Sequence, residues 1–196
     1  MLTKSFLRLL AMPILFAGAA FTQTLTWQGL RFGMSHQETK RTLHAKGFEM
    51  EPSDTPEKIS VRPDFELSKS VFKFAFSFTP EVYFEKDKLV GVNLSLDQPK
   101  TMAVWQMTPP KDTIVLVSAA AHVVYEQLLA KYGKPLEIKG DGCENSEPAD
   151  LLHQYRLCDA RWKSGSQLIK FFWTFEHDTD TLTFLIMYRD AVSSEL

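Results

Sequence analysis

The chain has 196 residues, 44% of them hydrophobic, with 22 basic against 24 acidic side chains and a formal net charge of −2. Such a chain can bury a real core and is long enough for one ordinary domain or two small packed units. It holds no Lys/Arg cluster and no basic helix face, so the attraction that drives binding to a phosphate backbone has no seat.

Residues 1–20 read as a secretory signal peptide. Lys4 and Arg8 give a basic start, Leu9 to Phe16 an apolar run interrupted by Pro13, and Ala17-Gly18-Ala19-Ala20 a small-residue exit. Signal peptidase accepts that order, whereas a spanning helix needs roughly 20 apolar residues. Cleavage after Ala20 is favoured over the A-x-A site of Ala17-Gly18-Ala19, leaving about 176 mature residues from Phe21, with 20 basic and 24 acidic side chains and a net charge of about −4. An uncleaved anchor is the alternative. No cysteine follows the exit, which excludes the acylated cysteine of a bacterial lipoprotein. The expected location is therefore periplasmic or secreted, with the protein released from the membrane.

After the signal, Leu25 to Met34 form a short extended lead-in broken by Gly33. Ser35-His36-Gln37-Glu38 has the form in which serine caps an orphan amide and glutamate reaches back to the cap, so it predicts a helix, with Gly47 as its left-handed stop. Thr39 and Leu43 share a face and Phe48 packs just past the end; so thin a stripe places the helix on a sheet edge. Residues 49–70, acidic and proline-containing, read as a long surface connection with Ile59-Ser60-Val61 as an edge strand. Phe72, Phe74, Phe76 and Phe78 occupy every second position and predict a strand with four rings on one face, ended by Pro80. Val82-Tyr83-Phe84 and Leu89 to Leu96 then form a hairpin across Glu85-Lys86-Asp87-Lys88, completing a meander.

Residues 97–112 read as an irregular crossover. Met102, Trp105 and Met107 within it form an apolar group outside any regular element and are the candidate interaction surface, with covering the core as the plainer role. Ala121, Val124, Tyr125, Leu128 and Tyr132 predict a second helix from about Ser118 to Tyr132, stopped by Gly133 and barred from resuming by Pro135. A polar stretch from Gly140 to Asp150 precedes three strands, Gln154 to Lys163, Gln167 to Glu176 and Thr181 to Arg189. Their turns are Ser164-Gly165-Ser166 and His177-Asp178-Thr179-Asp180. Ile169, Phe171, Trp173 and Phe175 alternate, as do Leu182, Phe184, Ile186 and Tyr188, so each strand has one buried face.

Cys143 and Cys158 are the only two cysteines. In an exported chain such a pair reads as a disulfide. A metal site using His153 between them is the alternative, but the Cys-x9-His-x4-Cys spacing matches no common zinc pattern. The aspartates of the 177–180 turn are turn formers rather than a spaced calcium loop. His36, His44, His122, His153 and His177 are scattered, and His44 is placed to meet the carbonyls at the first helix's end. Ser164-Gly165-Ser166 lacks the flanks of a nucleophile elbow, and no Gly-rich loop cradles a phosphate. The sequence thus nominates no catalytic, cofactor-binding or metal-ligating residue.

Both halves read as helix, long polar connection and three-stranded meander. His36, Leu43 and Gly47 recur as His122, Leu129 and Gly133 at a fixed offset of 86 residues. The expected fold is α+β, built of two similar units in which a helix packs on a three- or four-stranded antiparallel meander. Residues 21–98 form the first unit, 99–112 the crossover and 113–196 the second.

The lead-in Leu30-Arg31-Phe32-Gly33-Met34-Ser35, the helix to Gly47 and the hairpin Tyr83-Phe84-Glu85-Lys86-Asp87-Lys88-Leu89 together resemble the small exported modules of the BamE/SmpA and beta-lactamase-inhibitor-protein type. The second half lacks the Phe-Gly-Met opening. What the resemblance implies is a sheet-and-helix scaffold used for protein contacts, with no catalytic residues to carry over and a cystatin-like fold as a looser alternative. The function expected is a soluble, non-enzymatic binding module of the bacterial envelope, needing no cofactor, with another exported or envelope protein as partner and no nucleic acid. The alternative is a periplasmic small-ligand-binding protein or hydrolase whose site is assembled from distant residues.

Overall fold

The fold is given by a computed structural model, which describes residues 27–62, 78–96, 111–140, 142–143, 156–176 and 181–191. The signal-like segment, Phe72, Phe74 and Phe76, the 97–110 stretch with Met102, Trp105 and Met107, His153 and the 177–180 turn lie outside the described residues. In chain order the elements are α1 (His36–Ala45), β1 (Lys58–Ser60), β2 (Phe78–Glu85), β3 (Lys88–Leu96), α2 (Lys111–Tyr132), β4 (Glu137–Lys139), β5 (Arg156–Ser164), β6 (Gln167–Glu176) and β7 (Thr181–Asp190). The architecture is α+β, and the strands join in one antiparallel sheet in the order β1-β2-β3-β7-β6-β5-β4.

Helix α1 forms where the capping box places it. Glu38 N donates to Ser35 Oγ at 3.2 Å, and Ser35 N donates to Glu38 Oε2 at 3.1 Å. At the other end Gly47, at φ 84°, turns the chain left-handed while its N–H donates to His44 O and that of Phe48 to Leu43 O. Thr39, Leu43 and Phe48 are buried. The helix lies against β3, in the sheet interior, rather than along an edge. A second anchor holds it there: Asp87, at the hairpin tip, accepts from His36 N at 3.0 Å. A carboxylate at this end is favoured by the orphan amides and by the helix dipole. The hairpin turn itself uses Lys86 and Asp87 at φ 49° and 60°, the left-handed pair that a two-residue turn between twisted strands requires.

Several sequence expectations need correction. Phe78 and Val82-Tyr83-Phe84 belong to one strand, which runs through Pro80. Proline is tolerated because the β1 side is nearly exhausted there: Pro80 pairs with Leu94, and its carbonyl accepts from Val61 N just beyond the end of β1. Helix α2 starts at Lys111 rather than Ser118, so the crossover ends early. Ile114-Val115-Leu116-Val117 is an unbroken, largely β-branched run with no 3.6-residue signal, so spacing does not mark it as helix. Strand β4 was not foreseen, because three residues cannot display an alternation. The other boundaries shift by up to two residues; β6 runs from Gln167 to Glu176 as expected.

Period-two alternation sends Val82, Val92, Ile169, Phe171, Trp173, Phe184 and Ile186 to one face, all buried. Both helices lie on that face: His36 sits 4.8 Å from the Phe84 ring and Tyr125 sits 6.0 Å from Trp162. Ala120, Ala121, Val124, Tyr125 and Leu128 supply the buried side of α2. Phe184 packs between Phe171 and Phe78 at centroid distances of 5.4 and 5.6 Å, linking β6 and β7 to β2 across the seam of the sheet. The Trp162 indole N–H donates to Gly133 O at 2.8 Å, fastening the C-terminus of α2 to β5. Among the described residues no helix is long and apolar enough to cross a membrane.

Candidate functional site on the open face of the sheet

With both helices on one face, the opposite side chains of every strand are left on a second face that carries no helix among the described residues. Most of its positions are half-buried or exposed, and they are not uniformly polar: Tyr83, Met187, Arg189, Leu168 and Phe172 stand among charged residues. Strand pairing lines them up. Tyr83, Gly91, Arg189 and Leu168 form one cross-strand row, and Glu81, Asn93, Met187, Lys170 and Arg161 form the next.

At the β1–β3 end, Lys58 Nζ lies 2.9 Å from Glu81 Oε1, and Tyr83 OH donates to Glu81 Oε2 at 2.6 Å. Burial pushes the Glu81 carboxyl up, but the hydrogen bonds from Tyr83 and Lys58 and the Lys58 charge outweigh it, so the group is held below the ordinary glutamate range. Burial and the bond to the Glu81 carboxylate push the Tyr83 phenol up to about 12. Arg189 crosses from β7 over Gly91 and sets its guanidinium 5.1 Å from the Tyr83 ring. Glycine is required for this approach, because a Cβ at position 91 would run into the guanidinium, 2.8 Å from Arg189 Cζ. Burial pulls the Arg189 guanidinium down from its usual range, opposed by Tyr83. Among the described residues no carboxylate pairs with it.

At the β4–β6 end, Arg161 grips Asp159 with two bonds, Nε to Oδ1 at 3.2 Å and Nη2 to Oδ2 at 3.1 Å, while Lys170 Nζ approaches Oδ2 at 3.2 Å. Burial raises the Asp159 carboxyl and these two cations overcome it, leaving it below the ordinary aspartate range. Glu137 joins the network through Lys139 at 2.9 Å and Arg161 at 3.3 Å. Lys170 also lies 5.0 Å over the Phe172 ring. Between the two ends runs a shallow groove of about 360 Å³, lined by Leu136, Arg161, Leu168, Lys170, Met187 and Arg189 among others.

No known protein family, curated protein or solved structure matches the chain.

The residues nominated from sequence are distributed as follows. Cys143 and Cys158 are joined in a buried disulfide that ties the turn after β4 to β5, beside Trp173, whose indole donates to Gly142 O at 3.2 Å. His36 Nε2 is 3.1 Å from Thr55 O, and His44 lies in the last turn of α1. His122 is half-buried on α2. These three histidines stay apart, and among the described residues no group of three His, Cys, Asp or Glu side chains could hold a metal ion. Sequence reasoning missed Tyr83, Gly91 and Arg189. The available signal was the polar half of each strand's alternation, which reads as plain solvent-facing surface until the register sets Arg189 opposite Gly91.

Proposed function

We propose that this chain is an exported, non-enzymatic interaction module of the bacterial envelope that contacts its protein partner through the open sheet face. One observation carries the reading: Tyr83, Met187, Phe172 and Arg189 stand half-buried together on one face, and aromatic residues, methionine and arginine are the types enriched at the centres of protein interfaces. Export is supported by the signal-like residues 1–20 and by a disulfide, which persists in oxidising compartments. The resemblance to BamE/SmpA-like and beta-lactamase-inhibitor-protein-like modules points the same way as an argument by fold, which ranks below the side chains themselves. The 97–110 stretch with Met102, Trp105 and Met107 is proposed as a second contact.

We further infer that the two halves are copies of one unit joined at the β3–β7 pair. In support, the 86-residue offset that relates Gly47 to Gly133 also relates Glu51, bonded to Ser60 O, to Glu137, paired with Arg161. A half-turn about the Asn93–Met187 pair superposes β2 on β6 and β1 on β5, placing Tyr83 on Phe172. It also places the Lys58–Glu81 ion pair on the Asp159–Lys170 pair with the charges exchanged. The offset holds from Gly47 to Glu51 and is longer from Lys58 to Asp159, because the connecting segments of the two units differ in length.

The test is affinity capture from envelope extract with the wild-type protein, a Tyr83→Ala/Phe172→Ala double variant and Trp105→Ala. The expected result is a partner retained by the wild type and lost by the double variant. Equal recovery by wild type and double variant, both shown to be folded, would rule out the open face.

A further inference from the structure

We propose that β4 is a docking edge for a second copy of this chain, with Glu137, Ile138 and Lys139 of the two copies paired antiparallel about a two-fold axis at Ile138. The inference does not rest on the open face contacting a partner.

The two ends of the sheet differ. Along β1 the chain doubles back: Glu51 N donates to Ser60 O at 2.7 Å and Arg62 N to Glu49 O at 2.8 Å, while Met50 bridges to Val61 and Thr55 to Lys58. The outer side of β1 is thereby lined by residues 49–55. β4 stands at the other end of the strand order and pairs inward with β5. Its side chains are open. Leu136, just before the strand, is 73% exposed and Ile138 is 37% exposed, two of the three exposed large apolar side chains among the described residues. An edge of this kind is a template for another strand.

The order of charges selects the occupant. A lysine on an edge strand ordinarily deters pairing with another chain. Here Lys139 is matched two residues away by Glu137, on the same face of the strand. In an antiparallel pair centred on Ile138, Glu137 of each copy stands opposite Lys139 of the other, which gives two attractive cross-strand pairs, and Ile138 meets Ile138. Centring on Glu137 or on Lys139 would oppose like charges, and a one-residue slip would set Ile138 against a charge. One register is therefore self-complementary, as an isologous interface requires. The Glu137–Lys139 contact within one copy, at 2.9 Å, joins side chains 41% and 55% exposed, so exchanging it for a contact across the axis costs little. Pairing in this way continues the pleat, and the open faces of the two copies lie on one side of a doubled sheet. A contact of three residues a side falls short of the roughly 1,000 Å² of a stable interface, so the dimer is weak and forms as concentration rises.

The test is sedimentation velocity of the full-length protein from about 1 μM to about 1 mM, where a reversible monomer–dimer equilibrium is expected. Glu137→Lys and Lys139→Glu each turn both cross-strand pairs repulsive and should weaken the dimer at least about tenfold. Mixed one to one, the two variants again oppose unlike charges and should recover a heterodimer, a rescue that damage to either fold could not give. Circular dichroism checks that each variant is folded. At least one amide among residues 137–139 should exchange its hydrogen more slowly as the dimer forms. The proposal is overturned if the wild type stays monomeric to about 1 mM, if the folded variants dimerise as the wild type does, or if their mixture recovers nothing. Protection of all three amides in the monomer would mean that the edge is taken within the chain, and would overturn it as well.

Discussion

Gly91→Ala is the most discriminating perturbation, because its sign depends on a residue from the other end of the chain. In a strand interior, glycine is less stable than alanine by roughly 0.5–1 kcal/mol through backbone entropy. Gly91 is absent from the positive-φ glycines, so alanine brings no backbone strain. The obstacle is the Arg189 side chain, which the new Cβ would meet at Cζ and Cδ, 2.8 and 2.9 Å away. Arg189 can swing aside, but it then leaves the Tyr83 ring and forfeits a contact worth about 0.5–2 kcal/mol. In the wild-type background the two effects leave Gly91→Ala between about 0.5 kcal/mol stabilising and about 1.5 kcal/mol destabilising. In an Arg189→Ala background only the entropic gain survives, and the same substitution stabilises by roughly 0.5–1 kcal/mol. Urea denaturation of the four proteins of this cycle gives the coupling directly. Equal changes in the two backgrounds would refute the arrangement of Arg189 over Gly91.

The remaining predictions concern stability and titration. Replacing both Cys143 and Cys158 by serine should cost ~3 kcal/mol, because the bridge closes a loop with a sequence separation of 15. An unchanged urea midpoint, with the wild-type bridge verified by mass, would contradict this. Asp159→Asn should destabilise by about 1–2 kcal/mol near neutral pH, given partners that are themselves part-exposed. The folded-state value of Asp159 is depressed, so its contribution is full above the unfolded value of ~3.9 and disappears as pH falls through the lower folded one. Wild type and variant should therefore converge in acid, and a gap that persists there would refute the ion-pair account. Tyr83, raised to about 12 against an ordinary ~10, contributes below the ordinary value and loses that contribution as pH rises through about 12. Tyr83→Phe should delete a phenolate absorbance step at about 12, and loss of a step at the ordinary ~10 instead would show that the phenol is not bound to Glu81.

What could be read from sequence was whatever a short window encodes. Helix α1 is legible because its cap, stripe and stop fall within fourteen residues, from Ser35 to Phe48. β6 and β7 are legible because Ile169 to Trp173 and Phe184 to Tyr188 alternate without interruption. The first turns of α2 were hidden by β-branched residues whose local preference is for strand. Pro80 misled because its acceptability depends on where β1 ends. The open-face site could not be found this way at all: Arg189 matters through Gly91 and Tyr83, and only the register between β3 and β7 makes them neighbours.

The β3–β7 pair also governs the order of events during folding. β1–β2–β3 and β4–β5–β6–β7 are each ladders of chain-adjacent strands that can close early, whereas the seam between them joins β3 to β7, the last of the described strands. Long-range pairing of this kind is entropically delayed. Until β7 arrives, β3 stands as an unpaired edge bearing Val92 and Leu94, both buried in the finished protein. A nascent chain therefore remains incomplete, and prone to associate through that edge, until β7 is available.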